Sequence, residues 1–439
     1  MKKSLYFFSI LLCLSFFSGC NRINDGIQDK KERFMRKNAV IVQKSLQNEI
    51  KEKELAFEKY LSSVSLHDKV SQLFIENLEG DTAFFPVEKD FIPGGYIFFG
   101  YNVASSPKKI IGFTDSIKKY CAEHKNIPPF LAVDQEGGTV NRLKVVAGPL
   151  SSAEKVSSVL TVKDAYELYK TQAKQMKALG FDMNLAPVVE IKTPKNENFL
   201  QGRSFGSLKN VQNYGSAFIN AFENNGIATV LKHFPGNTNT DPHTGLPEIS
   251  LTDKELTESL KPFFILNRRN PTATLMSHAR VKSKDNGKPS CFSEYWISDV
   301  LRKTIGFTGL VMSDDVFMAA LSKNGFPPKE AAVKALQAGV NVIMISEKRI
   351  SSEAKNLIKK AEEDSSFRVL IENSFKKVME YKLKANIISF NKEDNGEYKM
   401  VPVVSQKSIA DRLLDFDNAR NENINIYIEE IDSAGNFDN

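Results

Sequence analysis

From about residue 65 to 387 the chain alternates short apolar runs rich in β-formers with longer stretches whose apolar residues recur every three or four positions. The candidate strands are VSQLFIEN (70–77), GGYIFFG (94–100), PFLAVDQ (129–135), FDMNLAPVVE (181–190), IATVLKHF (227–234), TATLMSHARV (272–281), GLVMSDDV (309–316) and NVIMIS (341–346). Between them lie helical patterns such as SVLTVKDAYELYKTQAKQMKALG, LKNVQNYGSAFINAFENNG and PPKEAAVKALQAG, which close at Gly180, Gly226 and Gly339, where helix C-caps are expected. Eight strands with helices between them predict an α/β fold, a single (β/α)8 barrel. A doubly wound open sheet is the alternative, but no Gly-rich phosphate loop follows the first run.

The ends of the chain have other patterns. MKKSLYFFSILLCLSFFSGCN opens with Lys2 and Lys3 and continues with an apolar run too short to span a bilayer comfortably, the pattern of an export signal. Its end, FSGC, resembles the lipobox of bacterial lipoproteins, with Phe17 where Leu is usual; the resemblance makes Cys20 the lipidated first residue of the mature chain. Residues 21–64 are dense in both signs of charge and nearly free of Gly and Pro, which predicts a charged helical linker with a coiled coil as its alternative. Residues 388–439 lose the apolar periodicity and read as a C-terminal surface extension. The expected division is therefore signal 1–20, linker 21–64, barrel 65–387 and extension 388–439. The protein would be exported and held on a membrane through Cys20, at a cell surface or in a periplasm.

Composition changes this picture little. A charge of +6 on 439 residues is modest, and a mixed-charge surface accounts for it better than a nucleic-acid footprint. Removing Lys2 and Lys3 with the signal leaves 6 − 2 = +4. Cys121 and Cys291 could then form one disulfide in an oxidising compartment. Nothing in the sequence sets an oligomeric state.

Charged groups collect where a barrel builds its active site, at the carboxyl ends of the strands. In order these are Asp134 with Glu136, Glu190, Lys232 with His233, His278, and Asp314 with Asp315. Each has a structural reading of its own, as a cap, an ion pair or a satisfied core group; together on one face they point to a polar binding pocket. No Gly-x-Ser-x-Gly elbow, Cys-His arrangement or HExxH signature is present. His233, His243 and Asp241 could in principle hold a metal, but Lys232 beside His233 opposes it, so neither metal nor cofactor is expected. Carboxylates with a histidine and cationic donors suit glycoside chemistry, in which a carboxylate attacks the anomeric carbon and another group protonates the leaving oxygen.

The same residues carry a resemblance. DQEGGTVNRL (134–143), GRSFGS (202–207), LKHFPGNTNTDPHTGLPEI (231–249) and GFTGLVMSDDVFM (306–318) resemble, in order, the motifs of the family 3 glycoside hydrolases, nearest to the bacterial β-N-acetylglucosaminidase branch. The resemblance implies Asp314 as nucleophile, His243 as acid/base and Asp241 as its partner on a mobile loop. It implies Asp134, Arg142, Arg203, Lys232, His233 and His278 as sugar-binding residues. The implied activity is a retaining exo-β-N-acetylglucosaminidase acting on peptidoglycan-derived or other amino-sugar glycosides. Its rivals are a β-glucosidase or β-xylosidase, a β-N-acetylglucosaminide phosphorylase, and a surface lipoprotein that binds sugar without turnover. Thr139, Asn237, Thr238 and Asn341 depart from residues common in the family.

Overall fold

The computed structural model describes residues 25–240 and 245–434; Cys20, Asp241 and His243 lie outside them. The chain forms two compact units, one from the amino-terminal helix to Tyr60 with Lys392–Lys399, the other from Leu61–Asn391 with Met400 onward. The first is built on helix α1 (Asp25–Ser63). Within it Glu49 and Lys53 pair one turn apart at 2.8 Å, and Lys392 reaches Glu52 at 3.1 Å. These exposed pairs contribute little each, so α1 owes its helicity mainly to good helix formers, with no proline and a single glycine, Gly26, in its first turn. No described helix is long and apolar enough to cross a membrane.

The second unit is the barrel. Its strands are β1 (Phe74–Asn77), β2 (Gly95–Phe98), β3 (Phe130–Val133), β4 (Met183–Asn184), β5 (Ala228–Phe234), β6 (Ala273–Met276), β7 (Leu310–Ser313) and β8 (Ile343–Ile345). All neighbours are parallel in the order β8-β1-β2-β3-β4-β5-β6-β7, and a bridge between Met312 and Val342 brings the two ends together. All eight expected strands are present, and each is shorter than its apolar run. Val70 and Ser71 finish the short helix Leu66–Ser71, so the first strand begins only at Phe74. In FDMNLAPVVE only Met183 and Asn184 keep a regular ladder; Pro187 has no N–H to give, and Val188 returns only as an isolated bridge to Lys232.

Helices cover the outside of the sheet. Helices α2 (Pro107–Glu123), α3 (Val162–Leu179), α4 (Leu208–Asn224) and α5 (Pro328–Ala338) fill four of the crossovers. Thr161 caps α3 by accepting from the Asp164 N–H, and Ser207 caps α4 by accepting from Asn210. Gly180 and Gly339 end α3 and α5 in the left-handed region, as the sequence predicts, whereas α4 ends at Asn225 with Gly226 one place beyond. At Gly180 (φ 96°) a side chain would also strike Thr114 Oγ1 at 2.4 Å, so glycine is required twice over.

The C-terminal residues are more ordered than a surface extension suggests. Helix α6 (Ile409–Ala434) packs along α3 and α2, with Phe416 and Ala419 buried. Arg412, 4% exposed, donates to the Ala178 carbonyl at 2.9 Å and pairs with Asp115. Cys121 and Cys291 are separate buried thiols, so the disulfide they could have formed is not made.

One carboxylate breaks the apolar layer around the strands. Glu76 on β1 is 5% exposed, and its Oε2 is buried with no hydrogen-bond partner among the described residues. Burial, with a smaller contribution from Glu88, pushes its pKa up to about 9. A carboxyl whose pKa is higher in the folded than in the unfolded state binds an extra proton when folded, so stability falls as pH rises from about 4.5 towards 9. Glu76→Gln should remove that decline. Urea unfolding at pH 5 and pH 8.5 is expected to give the variant a clear gain over wild type at pH 8.5 and little at pH 5.

Candidate active site

The strand ends gather most of the predicted polar residues into a buried, charge-balanced cluster. Lys232 on β5 is 4% exposed and lies 2.6 Å from Asp134 and 2.5 Å from Glu136. Arg203, from the loop after β4, grips Glu136 with two parallel bonds, Nε to Oε2 at 2.7 Å and Nη2 to Oε1 at 2.9 Å. Two carboxylates thus face two cations. Burial acts to raise the Glu136 pKa, yet Lys232 and Arg203 outweigh it and hold the carboxyl down at about 2. Burial likewise works against the Lys232 charge, and Asp134 and Glu136 overcome it to raise the ammonium's pKa. Glu136, Lys232 and Arg203 are therefore ionised at neutral pH.

A second pair stands beside the first. His233 Nδ1 lies 2.8 Å from Glu190 Oε1, and a carboxylate only accepts, so Nδ1 carries the proton and donates it. Glu190 Oε2 accepts from the Asn237 N–H at 2.7 Å, so one carboxylate orients the imidazole and anchors the start of the loop that leads to Asp241. Phe199 backs both groups: its ring and that of His233 meet edge to face with centroids 5.4 Å apart, and the Arg203 guanidinium lies over it at 5.3 Å.

Asp134 and Arg142 are placed by Gln135. The Gln135 backbone exchanges two 3.0 Å bonds with the Asn184 side chain on β4, and its Oε1 accepts from the Leu143 N–H at 3.0 Å. Arg142 follows the second strand of the hairpin that carries Gln135, and its Nε–H is buried with no acceptor among the described residues.

Asp314 follows β7 directly, as the sequence predicts. It does not cap a helix: the next one begins at Ala319, and the capping bonds in this turn belong to Asp315, whose Oδ1 accepts from the Phe317 and Ser346 N–H groups at 3.0 Å each. The Asp314 carboxylate is half-buried and, among the described residues, takes a single bond, from the Asp315 N–H to Oδ1 at 2.9 Å. His278, just past β6, is 1% exposed with both ring nitrogens turned to protein partners, Cys291 Sγ at 3.3 Å and the Asp315 carbonyl at 2.8 Å.

Three residues matter here more than the motifs alone suggest. Glu136 and Glu190 are visible in sequence as strand-end carboxylates, but their roles as hubs appear only once the sheet closes. Cys291 has no sequence signal beyond being a cysteine. Among the described residues no group of three His, Cys, Asp or Glu side chains could hold a metal ion.

Comparison with known proteins meets this geometry from another side. Residues 65–381 match the family described as glycosyl hydrolase family 3, N-terminal domain. The chain is 30% identical over 274 residues to β-hexosaminidase A of Pseudoalteromonas piscicida, an alignment covering 57% of this chain and 45% of that protein. It thus spans just under half the length of that relative. It is 31% identical over 263 residues to an uncharacterised secreted glycosyl hydrolase of Arthroderma benhamiae, covering 58% of this chain and 73% of that one. The structure of a family 3 β-N-acetylglucosaminidase from Paenibacillus sp. FPU-7 superposes with a TM-score of 0.67 at 26% identity, over 82% of this chain and 69% of the other.

The cluster makes Glu136 structural as well as functional. Glu136→Ala would leave Lys232 and Arg203 short of a counter-charge in a buried site, a cost of about 3–5 kcal/mol. Asp134→Ala, at a position with 18% of its side chain exposed, should cost clearly less. Urea unfolding at pH 7 tests the ranking. The Glu136 pKa is lower folded than unfolded, so this stabilisation is present above about pH 4.5 and is lost as pH falls towards 2. The two variants' difference should shrink accordingly in acid.

Proposed function

The chain belongs to glycosyl hydrolase family 3, and from that premise we propose that it is a retaining exo-β-N-acetylglucosaminidase. It releases terminal β-linked N-acetylglucosamine from peptidoglycan-derived fragments or other amino-sugar glycosides. The observation that supports this most is the state of Asp314: its carboxylate stands at the carboxyl end of β7, with no cation paired to it among the described residues and no helix to cap. A carboxylate so placed is available to attack an anomeric carbon, while the balanced cluster opposite offers donors and acceptors for hydroxyls.

The mechanism has two displacements. Asp314 attacks the anomeric carbon as His243 gives its proton to the leaving oxygen, forming a covalent glycosyl-enzyme. His243 then takes a proton from water, whose oxygen displaces Asp314, and the two inversions return the original configuration. Asp241 orients the imidazole and stabilises its charged form between the steps. Asp134 accepts from sugar hydroxyls, while Arg142, Arg203 and Lys232 donate, and His233 offers its Nε2 side.

Export of the chain, with Cys20 carrying a lipid anchor, accords with the leader sequence and with the secreted relative from Arthroderma benhamiae. Relatives named β-hexosaminidase favour the amino-sugar over a glucoside or xyloside. Use of phosphate in place of water would make the enzyme a phosphorylase.

Three measurements test this reading. Asp314→Ala should abolish chromophore release from an aryl N-acetylglucosaminide, and full residual activity would sink the mechanism. His243→Ala should slow turnover by about 10²–10⁴-fold. With an aryl leaving group that needs no acid, that variant should accumulate the sugar on the peptide containing Asp314, as read by mass spectrometry. Rates with and without phosphate should be equal; a phosphate-dependent rate with a sugar phosphate as product would select the phosphorylase.

A further inference from the structure

Asp314 sits at the end of a chain of hydrogen bonds that begins in the core. We propose that Cys291 and His278 are positioning residues that fix the Asp314 carboxylate through the backbone of Asp315. This rests on the reading of Asp314 as the nucleophile.

Each bond in the chain has a defined direction. The Asp315 carbonyl, 2.8 Å from His278 Nε2, can only accept, so Nε2 carries the ring proton. In the neutral ring Nδ1 is then a lone pair, and the only group among the described residues facing it at bonding distance is Cys291 Sγ at 3.3 Å, which donates its S–H. Both residues are buried, at 1% and 0% exposure. Burial, with the nearby Asp314 charge, pushes the Cys291 pKa well above that of an ordinary thiol, so the proton stays on sulfur. The last bond runs from the Asp315 N–H to Asp314 Oδ1 at 2.9 Å.

Asp315 is held from three sides as a result. Its carboxylate takes the Ser346 N–H after β8 and the Phe317 N–H of its own turn, and His278 after β6 holds its carbonyl. Its N–H is left aimed at Asp314 Oδ1, while Oδ2 takes no bond among the described residues and is the oxygen presented for attack. The thiol is the one member that nothing else replaces. Without its S–H, His278 Nδ1 becomes a buried acceptor with no donor, and the ring can relieve that only by turning away from Asp315.

The resemblance puts His278 in the sugar pocket. With both nitrogens committed to protein atoms, it serves the pocket by holding the nucleophile's turn.

Serine retains the donor and valine removes it at similar size. With the full chain and an aryl N-acetylglucosaminide, kcat of Cys291→Val should fall about tenfold or more, the factor carried by one lost buried hydrogen bond, with KM within about twofold. Cys291→Ser should recover kcat to within about threefold of wild type. Thermal melting of all variants accompanies the kinetics, and Cys291→Ala substitutes if valine does not fold. A folded valine or alanine variant with wild-type kcat overturns the proposal. So does a serine variant as slow as valine with the same loss of Tm, since packing alone would then account for both. A wild-type enzyme without turnover is a separate outcome: it removes the glycosidase reading and this proposal with it.

Discussion

Burying a cation is costly, and the barrel buries two on one face. Lys232 and Arg203 remain charged there because Glu136 stands between them, at 2.5 Å from one and with a two-bond grip on the other, and Asp134 completes the balance. Removing any partner leaves an uncompensated charge, so the four positions constrain one another more strongly than packing constrains any of them. Asp134 and Arg142 gain their places from the same hairpin that carries Glu136, tied to β4 through Gln135 and Asn184. The proposed sugar-binding side of the site is thus constrained because its electrostatics admit few alternatives.

The side that carries Asp314, the proposed nucleophile, is organised differently, largely through backbone groups. Among the described residues Asp314 receives one N–H, and its neighbour Asp315 takes the bonds from the Phe317 and Ser346 N–H groups. The two sides are joined at β6: the Ser277 N–H reaches the Phe234 carbonyl at 2.8 Å, and its hydroxyl reaches the Gly236 carbonyl at 2.9 Å. The loop that leads to Asp241 therefore starts from a fixed point. Glu190 holds Asn237 from one direction and Ser277 holds Gly236 from the other.

Much of this was legible in the sequence, because parallel strands buried on both faces write continuous apolar runs and the charges at their ends stand out. FDMNLAPVVE misled on length, since hydrophobicity records burial and not pairing, and Pro187 interrupts the ladder while its neighbours stay buried. Asp134, Lys232 and Asp314 were visible as types at strand ends. Which carboxylate would join which cation was not, because Glu136 and Arg203 are 67 residues apart and meet only after closure. Helix α6 escaped for a related reason: Phe416, Ala419 and Arg412 dock it, too few apolar positions to mark a periodic face. Cys291 was opaque because a buried cysteine looks the same in sequence whether it fills space or holds a proton for its neighbour.

The docking of α6 also bears on the order of events during synthesis. Arg412 caps the end of α3 and pairs with Asp115 on α2, a partner made 297 residues earlier, and β8 must pair with β1 before the sheet can close. The β8–β1 pairing can form only once the chain has been made past residue 345, and the Arg412 contacts later still, and contacts of such separation form slowly. The earlier strands must wait, their edges unpaired, for the last quarter of the polypeptide. Under the export proposed above, this delay would have a use: the barrel would close only after translocation.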